Sequence, residues 1–568
     1  MEKFINKIVE NKITFWSVFG LIIILSLGLR LTLIEFPLWY DEGCSVATAI
    51  KSFPIGINNY LWSYDFQHTP FYFYILHFIM QFFGDSVVVF RISSLIVSMA
   101  LLPVTYIVTE KLASKKVALF AMLLMGINTF QVLYSIEIRM YPYVILLSLL
   151  SINYLIDYDR KEDKASLIKL GIVNILNPYF LTGSIVFVLA QFIIYSSYLD
   201  YKHANSKKIS DYIKSNLIVF ACFIPYLILI IHYGMVRSHF IATDLSPFTQ
   251  MNFWGLLQNL ISCDPGHIHE TRFEPFKTVW QTYVLIFAPI LVMVLGLIRS
   301  LTDKEKLNQV VLGIITLCFI IFVFLANATI VAFTGRYLIF ISPFIFILSA
   351  IGLSKFNKYI VALIIVLYTA GCIYGLFSTY KNYRDIAEFS LKSPADFCKK
   401  NYPGKQNLVI MPFASSVSFY YFKGDDMPRV MPLELLHQIR NPENTNIYDA
   451  EQIQAFKTGD KIKTFQNIIT GDKFISKNFV QYMDSYLKTV PKGGYIIWVV
   501  YYTDNYAIKR PEEVKQMYSN YDFVKENAST GMLSKFDVDL IAMLLQRADF
   551  VRKDRDASNQ FFVFRKRG

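Results

Sequence analysis

Apolar residues run in long blocks along this chain, and charged residues fall between the blocks rather than inside them. Crossing a hydrocarbon core as a helix takes roughly 20 apolar residues, and several blocks reach that length. With the N-terminus placed inside, the first predicted span runs from Ile13 to Ile34 and the second from Val87 to Val108. Residues 35–86 between them lie outside. They include an aromatic segment, Phe71 to Phe83, of about 13 residues, too short to cross and expected to lie against the membrane. A third span, Val117 to Leu133, returns outward, and a fourth, Tyr141 to Ile156, goes back in. Two spans joined near Asn177-Pro178 follow, then a seventh from Asn216 to Ile231. A long outer loop, 232–278, precedes spans over 279–298 and 309–326. Leu338 to Leu353 and Tyr359 to Phe377 bring the total to about 11 transmembrane helices.

Past residue 377 the pattern changes. About 190 residues of soluble composition remain, the size of one ordinary domain. Short apolar runs, Leu408 to Met411, Tyr495 to Tyr501 and Phe561 to Phe564, read as buried strands, while Asp472 to Lys488 and Pro511 to Asn520 read as helices. The expectation is a polytopic α-helical membrane domain over 1–377 and a soluble extracytoplasmic α/β domain over 378–568. No internal repeat or low-complexity segment stands out.

Charge supports this threading. Lys111, Lys115 and Lys116, then Arg160, Lys161 and Lys164, then Lys202, Lys207 and Lys208, then Arg299, Lys304 and Lys306, then Lys355 and Lys358 all fall in predicted inner loops, as the positive-inside rule requires. Were Phe71 to Phe83 a true crossing, every later cluster would face outward. The formal charge of +12 therefore has a topological cause and does not point to nucleic acid. The 568 residues are 54% hydrophobic and only 17% charged, less charge than a soluble chain carries. The first span is read as an uncleaved anchor, because its apolar run is too long for a signal peptide and no small-residue cleavage site precedes Glu35. Six cysteines show no paired C-x-x-C spacing, against a zinc site or disulfide scaffold. Cys44 and Cys263 both fall on the predicted outer side and could pair, but buried free thiols are the commoner outcome.

The same threading collects polar residues at the outer interface. Asp41 and Glu42 stand directly behind Trp39 and Tyr40 in Phe36-Pro-Leu-Trp-Tyr-Asp-Glu42, where the first helix should emerge. Aromatic residues settle at such interfaces, and carboxylates at that depth are costly enough to suggest function. His68, Arg91, Glu137 with Arg139, and Arg336 with Tyr337 join them, while the spans stay nearly charge-free. Singly, each has a plainer reading: a snorkelling anchor for Arg91 or Arg336, a cap for His68 ahead of Pro70, a solvated pair for Glu137 and Arg139. Together they argue for a site.

On Trp39-Tyr-Asp-Glu42, His68-Thr-Pro70, Phe90-Arg91, Glu137-Ile-Arg-Met-Tyr141 and Arg336-Tyr337, taken in order and relative to the spans, the chain resembles the protein O-mannosyltransferase and aminoarabinose transferase superfamily. These are integral membrane glycosyltransferases of the GT-C type, and the likeness, strongest to bacterial members of glycosyltransferase family 39, covers about the first 350 residues. It implies a GT-C fold with a catalytic base at Asp41. The family often has His-Pro-Pro where this chain has His68-Thr-Pro70, and aminoarabinose transferases carry a phosphate-binding lysine where His68 falls here, so the sugar is left open. The related oligosaccharyltransferases use a divalent metal and a Trp-Trp-Asp motif, which this chain lacks.

The chemistry follows from the compartment. A site facing away from the cytosol has no access to nucleotide sugars, so the donor should be a sugar on a polyprenyl phosphate, presented from the bilayer. Its leaving phosphate needs cationic donors, and guanidinium matches phosphate in bidentate fashion. Arg91, Arg139, Arg336 and His68 are the candidates, with Tyr337 as a neutral partner and Glu137 beside them. Asp41 is the candidate base for the acceptor hydroxyl and Glu42 its companion, a role worth about 10²–10⁴-fold. One base opposite a good leaving group suggests inversion. No cofactor is expected. The Asp264-Pro-Gly-His-Ile-His-Glu270 stretch has metal-ligating residues, but a polar loop is the favoured reading, since coordination shells draw on several segments. The expected partners are the lipid-linked donor, membrane lipids and an envelope acceptor (protein, lipid or glycan), in the plasma membrane. Two rivals stand beside the enzyme: a polar-lipid flippase, which would want midplane charges and an inverted repeat, and a non-catalytic envelope assembly protein recruiting through its C-terminal domain.

Overall fold

The computed structural model describes residues 11–64, 68–241, 293–302, 306–328, 335–385, 392–411, 420–431, 477–500, 544, 547–556 and 559–567. In chain order the helices are α1 (Lys12–Leu31), α2 (Tyr40–Ala49), α3 (Ile55–Tyr64), α4 (Phe71–Phe83), α5 (Val87–Leu112), α6 (Lys115–Ile127), α7 (Thr129–Ile136), α8 (Tyr141–Lys161), α9 (Lys164–Phe180), α10 (Ile185–Tyr201) and α11 (Ser206–Ile241). After a helical stretch over 293–300 come α12 (Lys306–Asn327), a 3-10 turn (Gly335–Ile341), α13 (Ser342–Leu353), α14 (Lys358–Asp385) and α15 (Lys392–Asn401). Strands β1 (Leu408–Ile410), β2 (Arg429–Met431), β3 (Tyr495–Val500), β4 (Ala548–Asp556) and β5 (Asn559–Lys566) follow, with α16 (Lys477–Leu487) ahead of β3. The chain forms two compact units: Met1–Phe36, Phe66–Val236 and Ile241–Asn382 in one, and Pro37–Asp65, Arg237–Phe240 and Tyr383–Gly568 in the other.

The first unit is a helical bundle. Among the described residues seven helical segments are long and apolar enough to cross a membrane, or eight if the bent pair α6–α7 counts as one span. This is a multi-pass membrane protein. α8, with Asp157, Asp159 and Arg160 in its last turns, and α9, with 17 residues, fall outside that set. α4 has 13 residues, starts behind Pro70 and stops at Gly84, whose φ of 93° is open chiefly to glycine. At 1.5 Å per residue it spans roughly 20 Å, short of a roughly 30 Å core. Tyr72, Phe73 and Leu76 are buried while Phe78, Phe82 and Phe83 are exposed.

Three boundaries differ from the sequence reading. α11 continues to Ile241, so the first ten positions of the expected 232–278 loop are helical. The turn expected near Asn177-Pro178 comes at Leu181–Ser184, because α9 carries Pro178 within its last turn and Asn177 is anchored by its amide to Ser148 Oγ at 3.0 Å. The span read from Val117 to Leu133 is broken at Asn128, where α6 and α7 meet at 64°. Asn128 Oδ1 accepts the Gln131 N–H at 3.1 Å, an N-cap inside the apolar run, and its amide donates to the Tyr368 hydroxyl at 3.0 Å. Residues 242–278, the Asp264–Glu270 stretch, Cys263, 279–292 and Pro511–Asn520 lie outside the described residues.

Where helices cross closely, small residues permit it. A Cβ on Gly352 would lie 1.8 Å from the Gly296 carbonyl oxygen, and the Ser349 hydroxyl donates to the Met293 carbonyl at 3.1 Å. The stretch 293–300 therefore packs on α13 backbone to backbone, the close approach that small residues give membrane helices.

At one end of the bundle the basic loops gather. Lys111 donates to Asp157 at 2.7 Å and to Asn153 at 2.8 Å. Lys208, nearly fully buried, reaches Glu162 at 2.9 Å and Asp159 at 3.4 Å, while Tyr195 donates its hydroxyl to Asp159 at 3.0 Å. The ends of α5, α8 and α10 and the start of α11 are thus tied by charge. Arg91 and Glu137–Tyr141 lie at the opposite ends of α5 and α8.

The second unit holds a mixed five-stranded sheet in the order β2-β1-β3-β5-β4. β1 runs parallel to β2 and β3, and β5 runs antiparallel to β3 and β4. Phe561 to Phe564 and Ile496 to Val499 are buried at consecutive positions, so both faces of the central strands are covered. α2 and α3 belong to this unit, and the Leu38 N–H donates to the Tyr421 hydroxyl at 2.8 Å.

Candidate active site

The turn between α7 and α8 is the centre of the first unit's polar cluster. Because Asn128 redirects the chain, α7 ends at Ile136 and a tight turn follows, with the Arg139 N–H donating to the Glu137 carbonyl at 2.7 Å. Pro142, in the first turn of α8, stops the turn from extending back into helix. Every residue from Glu137 to Tyr141 is buried. Burying an acid and a base together demands compensation, and His68 supplies part of it.

Arg139 Nη2 lies 2.8 Å from His68 Nε2. Guanidinium has no acceptor, so in this contact His68 Nε2 accepts from Arg139. His68, expected as a phosphate donor, makes this contact with Arg139. Its loop is pinned on the next residue, where the Thr69 hydroxyl donates to the Tyr179 carbonyl.

Arg336 and Tyr337 enter from the 3-10 turn ahead of α13, with the Arg336 guanidinium 5.4 Å from the Tyr337 ring centre. This turn packs against α8. Tyr141 lies within electrostatic range of Arg336, Arg139, Glu137 and Tyr337. It is 1% exposed, its ring meets Tyr134 edge-on at 5.1 Å, and its hydroxyl has no hydrogen-bond partner among the described residues. A buried hydroxyl left so costs about 1–3 kcal/mol.

Arg91 is brought to the same end of the bundle but is occupied there. Its Nη1 donates to the carbonyls of Leu33, Ile34 and Phe36 at 3.3, 3.1 and 2.5 Å, closing the loose turn after α1. It acts as a helix C-terminal cap. Sequence reasoning missed a second arginine of this kind. Arg30, in the last turn of α1 and 1% exposed, donates to Ser98 Oγ at 3.2 Å and to the carbonyls of Ser26 and Gly126 at 3.0 and 2.9 Å. The bend after Ile127 helps free the Gly126 carbonyl for this bond. A charge within an apolar span was the available signal.

The carboxylates lie in the second unit. Asp41 and Glu42 occupy the first turn of α2, where unpaired N–H groups and the helix dipole favour anions. Glu42 is buried and accepts the Trp39 N–H at 3.3 Å, the returning half of a capping box. Asp41 is half-buried, and its carbonyl accepts the Ser45 hydroxyl at 3.1 Å. Of the two acids, Asp41 is the more accessible. Among the described residues no three His, Cys, Asp or Glu side chains gather as a metal site.

No protein-family model and no curated protein matches the sequence. Solved structures do match in shape. ArnT from Cupriavidus metallidurans, bound to undecaprenyl phosphate, aligns with a TM-score of 0.52 at 10% identity over 97% of this chain and 98% of that one. Its apo form gives the same values. The Archaeoglobus fulgidus oligosaccharyltransferase aligns at a TM-score of 0.47 and 12% identity over 97% of this chain and 74% of that one. This chain has the GT-C fold, the architecture of the aminoarabinose transferase ArnT.

Proposed function

We propose that this protein transfers a sugar from a polyprenyl-phosphate-linked donor to an acceptor hydroxyl of the cell envelope, on the extracytoplasmic face and with inversion. The observation that carries the reading is the cluster of buried Arg139 and Tyr141 with half-buried Arg336, at the end of the bundle opposite its lysines. A fold shared with a protein solved with undecaprenyl phosphate supports it. In the reaction the acceptor oxygen attacks the anomeric carbon as the bond from that carbon to the phosphate oxygen breaks. The phosphate monoester leaves with the electron pair, and guanidinium donors meet its growing charge. Asp41 takes the acceptor proton, while Glu42 holds the helix turn that presents it. His68 keeps Arg139 aimed, and Arg91 braces α1 just before the Pro37–Glu42 segment.

The test is transfer by the purified full-length protein, with consumption of lipid-linked sugar measured by mass spectrometry. Asp41→Asn should lower turnover by at least about 10²-fold while undecaprenyl phosphate still binds. Normal turnover by that variant would remove Asp41 from the reaction.

A further inference from the structure

The Tyr141 hydroxyl is unexplained by packing. Its ring fills the space beside Tyr134 as a phenylalanine would, and the chain uses phenylalanine freely, with 49 of them. The oxygen that distinguishes it is buried, lacks a hydrogen-bond partner among the described residues, and lies in electrostatic range of two arginines. Phenol donates a hydrogen bond to an anion without adding charge, so it can complete an oxyanion shell that guanidinium groups begin.

We propose that Tyr141 is a binding residue for the lipid phosphate, its hydroxyl donating to a phosphate oxygen held between Arg139 and Arg336. This rests on the proposed use of a polyprenyl-phosphate donor. Its sign is unusual for a buried polar group: the hydroxyl has no hydrogen-bond partner among the described residues, and the complex supplies one. Removing the hydroxyl should therefore weaken binding without weakening the fold.

The experiment uses the full-length protein in nanodiscs, with undecaprenyl phosphate, undecaprenol and inorganic phosphate as probes. Tyr141→Phe should bind undecaprenyl phosphate roughly tenfold more weakly or worse, as expected for a lost hydrogen bond to a charged group. Its affinity for undecaprenol and its melting temperature should match or exceed those of the unaltered protein. A merely structural tyrosine would leave phosphate binding unchanged or lower the melting temperature together with binding of both lipids, and either result overturns the assignment. Should Tyr141→Phe fold poorly, a fluorinated tyrosine placed at 141 gives a stronger donor, and tighter phosphate binding is then required. Displacement of the lipid by millimolar inorganic phosphate would assign the cluster to a free anion instead. Arg336→Ala separates the two levels of the argument. If it loses phosphate affinity while Tyr141→Phe does not, the donor reading stands and this inference fails. If the unaltered protein binds phosphate and alcohol alike, both fail.

Discussion

At the scale of single residues, the site's cations divide by what they already hold. Arg91 closes a turn on three carbonyls, whereas Arg139 is hydrogen-bonded to the His68 imidazole. His68→Ala should release Arg139 and raise the donor KM several-fold, with little change in kcat. His68→Gln, which restores an acceptor oxygen, should recover part of the loss. Steady-state kinetics at varied donor concentration reads both, and an unaltered KM for the alanine variant would refute the aiming role. The sequence displayed which residues collect at this end, because order relative to the spans is a one-dimensional property. It hid their tasks. Whether an arginine meets carbonyls, an imidazole or a ligand depends on partners from remote segments, as with Arg91 and Leu33 or Arg30 and Gly126. Glu42 was legible in principle, since a glutamate three residues after an N-cap is a capping signal.

Among elements, the bend at Asn128 sets the site's position. It lets α7 leave the direction of α6, so that the Glu137–Tyr141 turn falls against the 3-10 turn bearing Arg336. Asn128→Ala would remove the acceptor for Gln131 and the amide that meets Tyr368, leaving the buried Gln131 N–H to find another acceptor while the Tyr368 hydroxyl keeps its bond to the Leu124 carbonyl. The expected cost is about 1–3 kcal/mol, read as a lower melting temperature in detergent; an unchanged midpoint would show that the bend is held by packing alone. In the sequence Val117 to Leu133 reads as one span because a lone Asn-Thr pair barely lowers the hydropathy of so apolar a run. Strand β4 was missed for the converse reason. Its Arg552, Lys553, Asp554, Arg555 and Asp556 resemble a loop, yet charge on an edge strand discourages pairing with other chains. Apolar strands β1, β3 and β5 were plain from composition.

For the whole molecule, the bundle separates its charges by end. Asp85, just before α5, is exposed at the end that carries Arg91, and Lys161 is exposed at the end that carries Lys111 and Asp157. With native thiols replaced, a cysteine at 85 should react with a membrane-impermeant maleimide in intact cells and one at 161 should not. The reverse pattern would put the arginine cluster in the cytosol and end the lipid-donor reading. The bond from Leu38 to Tyr421 has a further consequence. Three residues ahead of the candidate base, a buried amide depends on a side chain almost four hundred positions downstream. A protein cut short at residue 377 would keep Arg139, Arg336 and both carboxylates, yet the segment leading to Asp41 and Glu42 would have lost this anchor. Such a truncation should insert normally yet lose most consumption of lipid-linked sugar, and full turnover would show that the Leu38–Tyr421 bond is dispensable.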